Sequence, residues 1–377
     1  MDIPFNYGRI VRDTDFTDRT KETDQLLKNF QALTNTAIIS PRRWGKSSLV
    51  EKASQLLRQN SKEYIFIKFN CYKCENEKEF YALYAKKILE QSASSFENLV
   101  SNTRDFASRL NPSVKVKDPE GMCELEFGLK PAGNESDEEI LDLPEKIAVK
   151  KGKKLIVCID EFQQIGEFKN SKKFQKILRS HWQEHQHTAY VLYGSKKHMM
   201  LNIFGQYNSP FYRFGDIIHL PKITNSDWVE YITKRFSQTG KAVSPEDASY
   251  LADKVENHPY YVQQLAQGSW LRTSDICNQQ VIDQAFDAII NSLNLQFENM
   301  LDSLTERQRN FLSAVASDEK KLTSAGTLER YNLGSSANIT IMKKALIKKD
   351  ILEQEGSRPI IQDPILKYWI RTTYQNV

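Results

Sequence analysis

The stretch Ser40-Pro41-Arg42-Arg43-Trp44-Gly45-Lys46-Ser47-Ser48 constrains this chain more than any other. It matches the phosphate-binding pattern G-x-x-x-x-G-K-[ST] at every fixed position but the first, where Ser40 stands in place of Gly. In that pattern a turn of backbone N–H groups surrounds phosphate oxygens, the Lys reaches the outer phosphates and the hydroxyl faces Mg²⁺. The pattern works only between a strand and a helix. Thr36-Ala37-Ile38-Ile39 is an apolar run of strand type, and residues 47–57 place apolar side chains at helical spacing. The loop is therefore expected to open a helix, whose N-terminus favours an anion. Pro41 biases Ser40 toward extended geometry, which suits the end of a strand.

A second motif fits the same sheet. Lys153-Lys154-Leu155-Ile156-Val157-Cys158-Ile159 is an apolar strand that ends on Asp160 and Glu161, as a Walker B strand does. Asp160 is placed to hold Mg²⁺ through water, together with Ser47. Glu161, one residue on, is placed to orient or deprotonate an attacking water. Tyr190-Val191-Leu192-Tyr193-Gly194-Ser195 is a third apolar strand with a small polar end. Strand C-termini line the ligand crevice of a parallel sheet. Ser195 is thus either a sensor of the γ-phosphate or attacking water, or part of an ordinary strand-to-helix turn. Arg42 and Arg43 either face phosphate or are solvated loop charges.

At 377 residues the chain is long enough for two or three domains. Its 40% hydrophobic and 27% charged content is that of a globular protein. No apolar run reaches the roughly 18 residues that suggest a membrane span, and Met1-Asp2-Ile3-Pro4 lacks the pattern of a signal peptide. Five cysteines without a disulfide framework suit a reducing cytoplasm. Cys71 and Cys74 form one C-x-x-C with no second pair, which reads as two free thiols after a strand. A net charge of +4 does not by itself demand nucleic acid as partner.

Along the chain, residues 20–31 predict a helix, 64–70 a strand and 77–92 a long helix. Alternation on both sides of Pro119-Glu120-Gly121 predicts a β-hairpin inserted at about 111–135. Ser136 with Glu139 is a possible cap for the next helix. After Leu220-Pro221 the strands give way to helical patterns up to about Phe297. From 298 onward, a capped helix at Thr305-Glu306-Arg307-Gln308, a basic helix over 335–348 and a strand–turn–strand over 351–361 suggest a winged helix.

Over nearly its whole length the chain resembles the STAND-like branch of AAA+ P-loop ATPases, the archaeal-type ATPase group. The resemblance is carried by Phe16-Thr17-Asp18-Arg19 with Glu22, by the loop from Pro41 to Ser48, by Ile159-Asp160-Glu161-Phe162 and by Gly194-Ser195. It is also carried by His258-Pro259-Tyr260-Tyr261 and by Asp363-Pro364-Ile365-Leu366-Lys367-Tyr368-Trp369. It implies an α/β fold: a parallel-sheet αβα core over 1–222, a helical lid over 223–297 and a winged helix over 298–377. It implies ATP and Mg²⁺ as cofactors, with adenine near residues 7–16 and Pro259 against the nucleotide, although His258 replaces the more usual small residue. Arg213 takes the place of an arginine that senses the γ-phosphate or reaches a neighbouring subunit; a purely structural Arg is the alternative.

Three functions follow as expectations. The first is Mg²⁺-dependent ATP hydrolysis, with Lys46 neutralising charge and Glu161 placing the water. The second is a nucleotide-gated switch that binds DNA or a protein through the winged helix, motivated by Lys343, Lys344, Lys348 and Lys349. The twelve Lys/Arg and ten Asp/Glu of 296–377 give that reading only a weak electrostatic footprint. The third is a scaffold around a permanently held nucleotide. No guanine-reading N-K-x-D stretch is present.

Overall fold

A computed structural model describes residues 3–9, 16–92, 110–116, 123–129 and 138–374, with 110–116 and 123–129 described by their backbone alone. The chain divides into two compact units: Arg19–Pro221, and the described part of residues 1–18 together with the chain from Lys222 onward.

In the first unit the elements run α1 (Thr20–Gln31), β1 (Thr36–Ile39), α2 (Lys46–Asn60), β2 (Tyr64–Asn70), α3 (Glu77–Ser92) and the strands β3 (Leu110–Val116) and β4 (Cys123–Leu129). Then come α4 (Leu143–Lys151), β5 (Lys154–Asp160), α5 (Ser171–Trp182), β6 (Thr188–Gly194), α6 (Lys197–Phe204) and β7 (Asp216–His219). Five strands form one parallel sheet in the order β2-β5-β6-β1-β7. Its central strands are continuous apolar runs because both faces are covered: all of β1 and β6 is buried, as is β5 between its end residues. β7 is an edge strand of four residues with one buried position, which the sequence pattern did not reveal. β3 and β4 pair antiparallel, Val114 opposite Leu125. The proposed turn at 119–121 and the Ser136 cap lie outside the described residues.

The second unit holds α7 (Asn225–Ser237), β8 (Ala242–Val243), α8 (Pro245–Lys254), α9 (Pro259–Arg272), β9 (Ile276–Cys277) and α10 (Gln279–Asp302). α11 (Glu306–Ala316), α12 (Ala325–Arg330), α13 (Ser336–Lys348), the hairpin β10–β11 (Leu352–Glu355, Arg358–Ile361) and α14 (Pro364–Thr372) complete it. The helical run is interrupted by one two-residue parallel pairing, β8 with β9. The capping box Thr305–Gln308 starts α11 as the sequence predicts. A single hydrophobic core runs from Ile223 to Ile370, so residues 223–297 and the winged helix are packed as one body. Phe5 belongs to that core and is fully buried. Its carbonyl accepts from Gln267 Nε2 at 2.7 Å, and that of Pro4 accepts from Arg235 Nε at 2.6 Å. The N-terminal residues, grouped with the core in the sequence reading, thus pack in the second unit because an aromatic ring is buried there.

Two of the motifs that carry the resemblance meet inside this unit. The Tyr261 hydroxyl donates to the Asp363 carboxylate. The other oxygen of Asp363 accepts from the backbone N–H of Ile365 and Leu366 at 2.9 and 3.1 Å, capping α14.

Candidate functional site

The loop leaves β1 at Ile39 and enters α2 at Lys46. Its left-handed residues are Arg43, with φ 64°, and Gly45, with φ 88°. Ser40 is not among the positive-φ residues. The loop therefore has its turn where Gly45 stands, and the first position tolerates a side chain. Ser40 and Pro41 are buried, Arg42 and Arg43 are exposed, Trp44 and Ser47 are half-buried, and Ser48 is buried on α2.

Lys46 is buried at 6% exposure, and its Nζ donates to three loop oxygens: Pro41 O at 2.7 Å, Ser40 O at 3.0 Å and Ser40 Oγ at 3.3 Å. Burial lowers its pKa to about 8, and the Arg42 charge adds to that, while Asp160 and Glu161 oppose it. Ser40 thus contributes two oxygens to the lysine where a Gly would contribute one.

β6 lies between β1 and β5, with Ile39 level with Gly194 and Ile159 level with Leu192. This register brings the three strand ends together. Ser47 Oγ donates to Asp160 Oδ2 at 3.0 Å, and Asp160 Oδ1 accepts from the Glu161 N–H at 2.8 Å. Burial raises the Asp160 carboxyl above its ordinary pKa, and the adjacent Glu161 charge raises it further; the bonds from Glu161 N–H and Ser47 and the Lys46 charge only partly offset this. A buried acid beside a like charge favours a nearby cation. Its hard oxygens, with the Ser47 hydroxyl, are the donor types Mg²⁺ takes. Among the described residues no group of three or more His, Cys, Asp or Glu forms a metal cluster. Cys71 and Cys74 are buried free thiols.

Glu161 occupies a left-handed turn at φ 54°. Its Oε2 accepts from Ser195 Oγ at 2.9 Å and also from Gln163 Nε2. Gln163 is buried at 2% exposure against Gly194, where a Cβ would fall 1.7 Å from Gln163 Oε1. Gly194 therefore gives Gln163 its room, and Gln163 helps fix the acid. Cys71 steadies the same turn: its N–H donates to Asp160 O at 3.1 Å, and its Sγ lies 3.3 Å from Asp160 O and 3.2 Å from Glu161 O. Burial pushes the Cys71 thiol well up, so it stays a neutral donor. Sequence reading missed Gln163 and Cys71 in these roles. The glutamine two residues beyond Glu161 was the only hint.

The structure thus joins Ser47 with Asp160, and Glu161 with Ser195. Arg213 is exposed, with φ 53°, and its guanidinium lies 5.3 Å from the Tyr212 ring centre. Among the described residues no hydrogen bond or ion pair joins it to the acids. Its loop is held by Arg179 Nη1, which donates to Pro210 O and Tyr212 O, both at 2.7 Å. Pro259 opens α9 in the second unit, next to the buried His258. Of the expected adenine segment, residues 10–15 lie outside the described residues.

The family model of an ATPase domain predominantly from Archaea matches residues 16–265, and that of a probable winged helix domain matches residues 295–372. The Walker-type ATPase PABY2304 of Pyrococcus abyssi superposes with a TM-score of 0.66 at 17% identity, covering 98% of this chain and 99% of that one. The ORC2 protein of Aeropyrum pernix, in its ADPNP–ADP complexes, superposes at 0.57 with 14% identity over 99% of this chain and 96% of that one. The Aeropyrum pernix ORC1 protein in complex with DNA gives 0.51 at 11% identity over 96% and 94%. At these identities the likeness is one of fold. No curated protein matches the sequence. No helix among the described residues is long and apolar enough to cross a membrane. With its model matched over more than half of the chain, the archaeal-type ATPase family is the one to which this protein belongs, and a winged helix domain follows its ATPase domain.

Proposed function

We propose that the chain hydrolyses ATP in a Mg²⁺-dependent reaction at the ends of β1, β5 and β6. The observation that carries this reading is the paired bonding of the strand-end residues: Ser47 to Asp160 and Ser195 to Glu161, beside the buried Lys46. The loop amides from Pro41 to Ser48 and the N-terminus of α2 would hold the phosphates. Lys46 would leave its loop oxygens for the outer phosphates. Ser47 and Asp160 would hold Mg²⁺, which would supply positive charge against the charge developing in the reaction. Glu161, fixed by Ser195 and Gln163, would orient the attacking water and take its proton. This scheme needs no step from Arg213.

The nucleotide state would be passed to the second unit, whose lid and winged helix share one core and would respond together. The test is phosphate release and ATP binding measured with and without Mg²⁺, in wild type and Lys46→Ala. We expect release only with Mg²⁺, and loss of both binding and release in Lys46→Ala. Release that is unaffected by chelation or by the substitution would overturn the reading.

A second reading, in which the winged helix binds nucleic acid, has its own support. α13 carries no Asp or Glu along its thirteen residues, and its Lys344 and Lys348 are exposed.

A further inference from the structure

The segment between α11 and α12, the face of α13 and the tip of the β10–β11 wing enclose a cleft of about 470 Å³. Four cations line it from these three places: Lys320 and Lys321, Lys343, and Arg358. Thr340 and Ser357 add hydroxyls. Two acids also line the cleft, and both are engaged with other cations. Asp318 pairs with Lys367 at 3.3 Å and with Arg371, and Glu319 pairs with Arg330 at 2.8 Å. Glu355 stands opposite Arg358 in the hairpin register without an ion pair between them. Among the described residues none of the four lining cations has an ion pair. The near balance of charge over 296–377 therefore hides a local excess, because the nearby acids serve in structural bridges.

We infer that this cleft binds the phosphodiester backbone of a nucleic-acid duplex, an assignment that rests on the nucleic-acid reading of the winged helix. Cations spread over three chain segments suit a ligand with charges repeated along its length, and a duplex carries one about every 1.7 Å of its axis. Phosphate contacts of this kind set register and orientation. α13, about 20 Å long by its thirteen residues, is of a size for a major groove about 12 Å wide. An acidic protein partner fits less well, since a protein interface needs an apolar centre. In this region the exposed large apolar side chain beside the lysines is Ile341, at 66% exposure. Protein–DNA interfaces are more polar and more positive than that.

The test uses the full chain and a fluorescent duplex titrated between 50 and 200 mM KCl. The proteins compared are wild type, Lys320→Ala/Lys321→Ala, Arg358→Ala, and Lys344→Ala/Lys348→Ala outside the cleft, each checked by thermal melting and ATP turnover. Each lost phosphate contact lowers the slope of log K against log salt by about 0.9, so the double cleft variant should lose nearly 2 from the slope and roughly tenfold or more in affinity. Arg358→Ala should lose about half that slope. Wild-type slope and affinity in both cleft variants would overturn the cleft while leaving the winged-helix reading standing. No duplex binding by wild type at 50 mM KCl would remove both. A polyglutamate peptide of equal charge that competes as well as unlabelled duplex would overturn the nucleic-acid assignment.

Discussion

Lys46 links the chemistry of this site to pH. Its amine is buried with a pKa lowered to about 8, so above that pH the free protein holds it neutral. A bound phosphate favours the charged form, and binding above pH 8 must then take up a proton. ATP affinity is expected to be flat below about pH 8 and to fall by up to tenfold per unit above it. Titrations of a fluorescent ATP analogue at fixed ionic strength from pH 7 to 9.5 read this directly, and a flat profile would contradict it. Gly194 makes a second residue-scale case. Gly194→Ala must push Gln163 away from Glu161. Misplacing a positioned group costs about 10²-fold in rate, so kcat should fall by that order while ATP affinity holds; unchanged kcat would mean that Gln163 does not position the acid. Asp160→Asn removes a buried carboxylate that sits beside a like charge. It should raise the melting temperature by about 2–4 °C for each kcal/mol relieved, with loss of Mg²⁺-dependent turnover; a lower melting temperature would contradict an unfavourable burial of the Asp160 charge.

At the scale of elements, Asp363 joins two stretches distant in sequence. It caps α14 and accepts the Tyr261 hydroxyl from α9. Asp363→Ala is expected to cost about 1–2 kcal/mol in urea unfolding, the usual range for a lost N-cap, and a loss below a few tenths would remove that role. The cap of α11 was legible at Thr305 and Gln308 because a capping box is local. So were β1, β2 and the helices α1, α2 and α3, where apolar period and strand length agree, whereas α5 and α6 were not read from the sequence. β7 was not legible: four residues at an edge with one buried position give no pattern. The turn at Glu161 was also hidden, because Gln163, Ser195 and Cys71 reach it from three places that only the folded sheet brings together. The charge of residues 296–377 was legible as a count but not as a map. Counting lysines against acids cannot show that Asp318 and Glu319 are already bridged to Lys367, Arg371 and Arg330.

At the scale of the whole molecule, the chain divides into two compact units. Residues 223–297 and the winged helix share a core, and the N-terminal residue Phe5 is buried in it. Phe5→Ala should destabilise the second unit by about 3–5 kcal/mol, read by tryptophan fluorescence from Trp228, Trp270 and Trp369; a change under about 1 kcal/mol would contradict the packing. The first unit supplies the strand ends at which Glu161 would act on water. The most direct measurement is single-turnover hydrolysis of ATP by wild type and Glu161→Gln, with ATP affinity measured in parallel. Glu161→Gln is expected to bind ATP nearly as well as wild type and to hydrolyse it about 10²- to 10⁴-fold more slowly. Hydrolysis by Glu161→Gln at the wild-type rate would contradict this expectation.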